Sequence, residues 1–261
     1  MKISSVHNKK ILALRRLYKS KERKASDVFI AEGVKEISRG LDSDYKLVSL
    51  YYSPEIFKGD IKKLTGGIQY DFPVYELTET VYRKVAYRDN TEGLLALFEK
   101  KHFSLDDIKV KDNSTFIVLE SVEKPGNLGA VLRTAGAAGV DAVILTETKV
   151  DQYHPNVIRS SIGAVFKIPV VITSNPELAD WLKKNKIKSY AAALPAYKDL
   201  YSCDLKSKTA LIFGSESKGL GKFWLENAGC IFTIPMTDIV DSLNVSVSVA
   251  VAAYEAKRQK G

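Results

Sequence analysis

Apolar positions recur along this chain at two spacings, one helical and one strand-like. From Lys9 to Lys24, KKILALRRLYKSKERK sets Ile11, Leu12, Leu14, Leu17 and Tyr18 at helical intervals, which predicts one amphipathic helix with a very basic outer face. DVFIAEGVKEISRGL then reads as a short strand entering a helix, KLVSLYYS as a strand, and VYELTETVYRKVAY as strand, turn and helix. NTEGLLALFEK ends in a further strand. Strands alternating with helices predict a small α/β module over residues 1–100.

KKHFSLDDIKVKDNS is polar and without period, which marks residues 101–112 as a linker. A cleaner series occupies 113–261. Strands are expected at STFIVLESV, DAVILTE, PVVIT, KSYAAAL, TALIFGSE and CIFTIPM, and helices at NLGAVLRTAGAAG, HPNVIRSSIGAVF, PELADWLKKNK and SVSVAVAAYEAKRQK. Continuous apolar runs such as FIVL, AVIL and ALIF, each leading to a helix, indicate an α/β domain built on a parallel sheet with both faces covered.

Composition narrows the function classes. The 261 residues carry a formal net charge of +8, which favours a polyanionic partner such as RNA. For the leading helix, a solvated basic face and contact of Arg15, Arg16, Lys19 and Arg23 with RNA are equally compatible with its sequence. Cys203 and Cys230 have no partner at metal-ligand spacing, and His7, His102 and His154 lie far apart, so no metal site is expected. The lack of a membrane-length apolar run and of a signal-like start predicts a cytoplasmic protein without a membrane partner.

In a parallel sheet, ligands sit beyond the carboxyl ends of the strands. The unusual residues fall there: EKPGNLGAVLRTAG after FIVLESV, GSESKGLG after ALIF, and TDIVDSLNVSVSVA after IFTIPM. GSESKGL lacks the glycine-to-lysine spacing of a phosphate-binding loop. The glycines of EKPGNLG are wrongly spaced for a dinucleotide fingerprint, and no histidine accompanies the serines for a hydrolytic triad. A ligand held largely by backbone remains.

NLGAVLRTA, FGSESKGL, and IPM followed by SLNVSVSVAVAAYE resemble the three ordered motifs of the SpoU (TrmH-type) RNA ribose methyltransferases of the SPOUT superfamily, across essentially all of Ser114 to Gly261. The N-terminal segment, with FIAEGVKEI and NTEGLLALFE, is similar to the ribosomal-protein-like α/β substrate-binding domain often attached in that family. The resemblance implies S-adenosylmethionine as cofactor and methylation of a ribose 2′-hydroxyl in RNA, with ribosomal RNA favoured. A transfer-RNA ribose methyltransferase and a non-catalytic RNA-binding or ribosome-assembly factor on the same fold are the alternatives. It also implies a deep C-terminal trefoil knot and a homodimer through the C-terminal domain, with the last helix at the interface.

By position, the resemblance puts the cofactor against Leu194, Gly214, Ile234 and Leu243, and assigns Asn127, Arg133, Glu216, Ser242 and Asn244 to the catalytic set. Without the motifs, Ile234 and Leu243 read simply as core, and Arg133 reads either as a surface charge or as an inward functional group. Ser242 and Asn244 read either as nucleotide contacts or as cap and loop support for the last helix. Glu216 is expected to orient a loop or Arg133 through a charge-assisted hydrogen bond. The serines flanking Glu216, and Gly136, depart from frequent family choices and leave the substrate subclass open.

Overall fold

The computed structural model describes residues 1–66, 72–196 and 198–261. Two compact units emerge: Met1–Lys101 with Asp151–Lys167, and His102–Val150 with Ile168–Gly261.

In the first unit, β1 (Lys2–Ile3), β2 (Val28–Glu32), β3 (Leu47–Tyr52), β4 (Val74–Leu77) and β5 (Leu94–Glu99) form one sheet of order β1-β4-β3-β5-β2. Its β1, β4 and β3 run parallel, while β5 is antiparallel to both β3 and β2. Helices α1 (Lys9–Arg16), α2 (Ser20–Lys24), α3 (Val34–Leu41), α4 (Ile61–Leu64) and α5 (Glu79–Val85) complete the alternation. Ile11 and Leu14 of α1 are buried with Val81, Tyr82 and Val85 of α5, as the helical spacing of the basic segment requires.

That basic segment is two helices rather than one. The Arg23 guanidinium donates to the carbonyls of Leu17 (3.1 Å) and Tyr18 (3.0 Å) and pairs with Asp151. Capturing the carbonyls left open at the end of α1 requires the chain to turn back, so the helix stops and α2 restarts. Arg23 is only 2% exposed. Its charge is spent inside the unit, which corrects the expectation that it contacts RNA.

The second unit holds β6 (Thr115–Glu120), α6 (Pro125–Ala138), β7 (Ala142–Thr146), β8 (Val170–Thr173), α8 (Asn175–Lys184), β9 (Lys188–Ala192), β10 (Lys198–Asp199), β11 (Thr209–Phe213), α9 (Lys222–Asn227), β12 (Cys230–Thr233) and α10 (Val245–Lys260). Between β7 and β8 the chain makes α7 (Pro155–Ser160), where sequence pattern put a longer helix of the second series. Helix α7 belongs instead to the first compact unit. Tyr153, just before it, stacks on Phe29 at 4.3 Å.

The seven strands of this unit are ordered β10-β12-β9-β11-β6-β7-β8, every neighbouring pair parallel. β6, β7 and β11 are buried at every position, the signature of a sheet covered on both faces. β12, last in the chain, lies between β9 and β10. α10 packs on α6, and the Lys260 ammonium donates to Asn113 O, Ser114 O and Thr115 Oγ1, fastening its end beside the start of β6. No helix of the described residues is long and apolar enough to cross a membrane, and among those residues no cluster could hold a metal.

Candidate functional site

A cavity of about 570 Å³ opens at the carboxyl ends of the second unit's strands. Four chain segments line it: Lys124 after β6, Ala192–Leu194 after β9, Gly214–Gly219 after β11, and Ile234–Val245 after β12. The expected cofactor contacts Leu194, Gly214, Ile234 and Leu243 all line it, as do Glu216, Ser242 and Asn244 of the expected catalytic set. Phe213 and Phe232 supply apolar wall, and both sit on strands that the sheet fixes.

The turn after β11 is closed by reciprocal bonds, Ser215 N to Gly219 O (3.1 Å) and Gly219 N to Ser215 O (2.9 Å). Gly219 takes φ 66°, a left-handed conformation that suits glycine. A Cβ on Gly214 would overlap the Gly219 carbonyl and the Leu220 amide, so only glycine lets this turn fold back on itself.

The turn presents Glu216 to a cluster of donors. Its Oε1 accepts from Asn127 Nδ2 (2.7 Å) and Asn244 Nδ2 (2.5 Å), and its Oε2 from the Lys124 ammonium. Asn244 Nδ2 also approaches Asn127 Oδ1 at 3.4 Å. Lys124, then Asn127 and Asn244, hold the Glu216 carboxyl below the usual glutamate range, and Glu216 in turn raises Lys124. Three loops are thereby tied at one carboxylate.

Asn244 unites the two roles the sequence left open. It is the N-cap of α10, its Oδ1 accepting from Ser246 N (2.9 Å) and Ser246 Oγ (2.7 Å), while its Nδ2 serves the cluster. The capping residue is therefore Asn244 and not Ser242, which lines the cavity. Of the two expectations for Glu216, loop orientation holds: its partners are Lys124, Asn127 and Asn244, and not Arg133.

Arg133 stands apart. It lies exposed on α6, outside the residues lining the cavity, and makes no hydrogen bond or ion pair among the described residues. Arg15, Arg16 and Lys19 are likewise exposed, in the first unit. Sequence reasoning passed over Lys124, which stands between a strand end and the proline that opens α6 and reads there as an ordinary loop lysine.

Comparison with known proteins supplies the frame for this geometry. The SpoU rRNA Methylase family matches residues 114–254, and an MRM3-like substrate binding domain matches residues 8–96. The chain is 28% identical over 255 residues, 98% of both chains, to the 23S rRNA (guanosine(2553)-2′-O)-methyltransferase RlmP of Bacillus subtilis. It is 40% identical over 146 residues to the 23S rRNA (guanosine-2′-O-)-methyltransferase RlmB of Xanthomonas axonopodis pv. citri, covering 55% of this chain and 58% of that one. The AdoMet-bound rRNA methyltransferase of Sinorhizobium meliloti superposes with a TM-score of 0.90 at 30% identity, covering 99% of this chain and 97% of that one. A match across the whole sheet whose strand ends build the cavity, and across the loops that meet at Glu216, makes this chain a member of the SpoU rRNA methylase family.

Proposed function

We propose that this protein transfers a methyl group from S-adenosylmethionine to a ribose 2′-hydroxyl of ribosomal RNA, in the cavity at the carboxyl end of the second unit's sheet. One observation carries the proposal: the loops after β6, β9, β11 and β12 converge on a single cavity, and Glu216 ties three chain segments at its mouth.

The residues present fit the cofactor. Small-ligand sites occupy roughly 300–1,000 Å³, and this cavity has that size, with a lining shared between apolar and polar groups. Leu194, Gly214, Ile234 and Leu243 would hold it, with backbone amides and carbonyls free to read an adenine edge and apolar side chains to enclose the ring. When bound, the cofactor supplies a methyl group on a sulfonium, already activated for transfer without a metal. What remains for the protein is to align the ribose hydroxyl with that methyl and to let the hydroxyl proton pass to water or to an RNA phosphate oxygen.

Glu216 fixes Asn127 and Asn244, and with them the loops that frame the acceptor. Arg133, exposed, outside this chain's cavity and without a partner among the described residues, is assigned to clamp an RNA phosphate and the reacting ribose, a contact it would make across the proposed homodimer at the partner copy's cavity. A charged guanidinium carries five N–H donors in a planar fork and no acceptor, which suits a clamp and not a base. Ser242 is assigned to the nucleotide side of the cavity.

The first unit, Met1–Lys101 with Asp151–Lys167, is assigned as the RNA substrate-binding domain of ribosomal-protein-like fold, with Arg15, Arg16 and Lys19 supplying phosphate contacts, and the second unit as the catalytic domain; of the expected linker 101–112, all but Lys101 falls in that second unit. The placing of β12 between β9 and β10 supports a trefoil knot at the C-terminus. α10 buries one face and leaves Val247 (46% exposed) and Tyr254 (50%) on the other, which supports a homodimer built on that helix. The protein is assigned to the cytoplasm, where its RNA substrate is assembled.

Arg133→Lys tests the reading: turnover should fall about a hundredfold or more with S-adenosylmethionine affinity retained, since a point charge replaces a two-pronged clamp. Full activity in that variant would refute the clamp. Calorimetry showing no cofactor binding by the unaltered protein would refute the enzyme.

A further inference from the structure

Glu120 closes the strand FIVLE with a carboxylate where the sequence pattern predicts only core, and the catalytic scheme does not use it. It is 5% exposed and has no ion-pair partner among the described residues. A lone buried carboxylate is costly, so its surroundings must require an acceptor. Two donors face it: Asn175 Nδ2 at 2.7 Å on Oε1 and Gly221 N at 2.6 Å on Oε2. Asn175 has no choice of orientation, because the buried Trp224 Nε1–H donates to its Oδ1 at 2.8 Å. The donor–acceptor chain therefore runs Trp224 to Asn175 to Glu120, with Gly221 entering from the other side. Both oxygens must accept, which a carboxylate satisfies and an amide cannot.

Gly221 is where the turn after β11 ends and α9 begins. The other end of that turn is Gly214, and between them lie Ser215, Glu216 and Gly219 of the cavity wall. A Cβ on Gly221 would come within 3.1 Å of Glu120 Oε1, so carboxylate and backbone are in close register.

We propose that Glu120 is a positioning residue for the methyl-transfer site: by accepting from Gly221 N and Asn175 Nδ2 it pins the far end of the 214–221 turn, and so sets the cavity wall and the place of Glu216. The proposal rests on the reading that this cavity binds S-adenosylmethionine.

The test uses the full chain, with calorimetric affinity for S-adenosylmethionine and thermal unfolding measured together. Binding by the unaltered protein is the control, and its absence would count against the cavity reading and not against Glu120. Glu120→Gln turns an N–H toward one of the two donors. Its affinity should fall by about tenfold or more, as expected when a buried donor loses its acceptor. Trp224→Phe added to Glu120→Gln frees Asn175 to flip and accept from the new amide, and affinity should return to within about threefold of the unaltered protein. A purely structural role predicts the opposite order, because Trp224→Phe removes buried packing and makes the double variant worse. Unchanged affinity in Glu120→Gln, or a double variant that binds no better than the single one, would overturn the proposal. If Glu120→Gln alone does not fold, recovery of a folded, cofactor-binding double variant supports it, and failure of that variant too overturns it.

Discussion

Glu216 shows how much chemistry one side chain can organise when several loops end at the same place. Its carboxyl is held low by Lys124, Asn127 and Asn244, so the cluster's contribution to stability is complete above the unfolded glutamate value near 4.5 and is lost as pH falls through the lower folded value. A carbon-detected titration should place the Glu216 midpoint below 4.5; a midpoint above that value would mean the cluster does not form in solution. Gly214 makes a sharper case, because any side chain there meets the Gly219 backbone. Gly214→Ala should lower cofactor affinity by about tenfold or more while leaving the sheet folded, read by calorimetry beside circular dichroism. Asn127, Glu216 and Asn244 were legible through the three motifs that resemble the SpoU family, which fall at strand ends. Lys124 and Glu120 were not, since a lysine before a proline and a glutamate ending an apolar strand look ordinary until their partners, 92 and 101 residues away, are in place.

Among the elements, α10 and six of the seven strands of the second unit could be read directly, because long runs with one period leave little choice. The basic N-terminal segment could not. Its helical spacing was real, but Arg23 folds back on the end of α1 and divides it. Periodicity reports which positions face inward and is blind to a long side chain that caps its own helix. Arg23→Met should cost about 3 kcal/mol or more in unfolding experiments, because it leaves Asp151 and two carbonyls without their partner. Neutralising Arg15, Arg16 and Lys19 together should leave the melting temperature nearly unchanged and flatten the dependence of RNA affinity on salt, with a slope lower by about 0.7–0.9 for each phosphate that is no longer neutralised. An unchanged slope would assign those three residues to solubility.

For the whole molecule, the alternation of strands and helices gave away the α/β class, yet no local pattern discloses the order of strands. β10 is two residues long and reads as loop, and β12 enters the sheet beside strands that precede it in the chain. Oligomeric state belongs to this scale too. Val247→Asp with Tyr254→Asp should convert a dimer to a monomer in sedimentation experiments, since two charges would be buried without partners; a persistent dimer would move the interface off α10. The place of β12 also bears on biosynthesis. While a ribosome is still making the chain, β9 has no neighbour on its β12 side, and that edge stays open until residues beyond Cys230 have emerged. Ile234, Leu243 and Asn244 emerge later still, so the cavity at the strand ends is completed only after every strand of this sheet has been made. A nascent chain stalled before that point exposes an unpaired apolar strand, the kind of surface that chaperones retain.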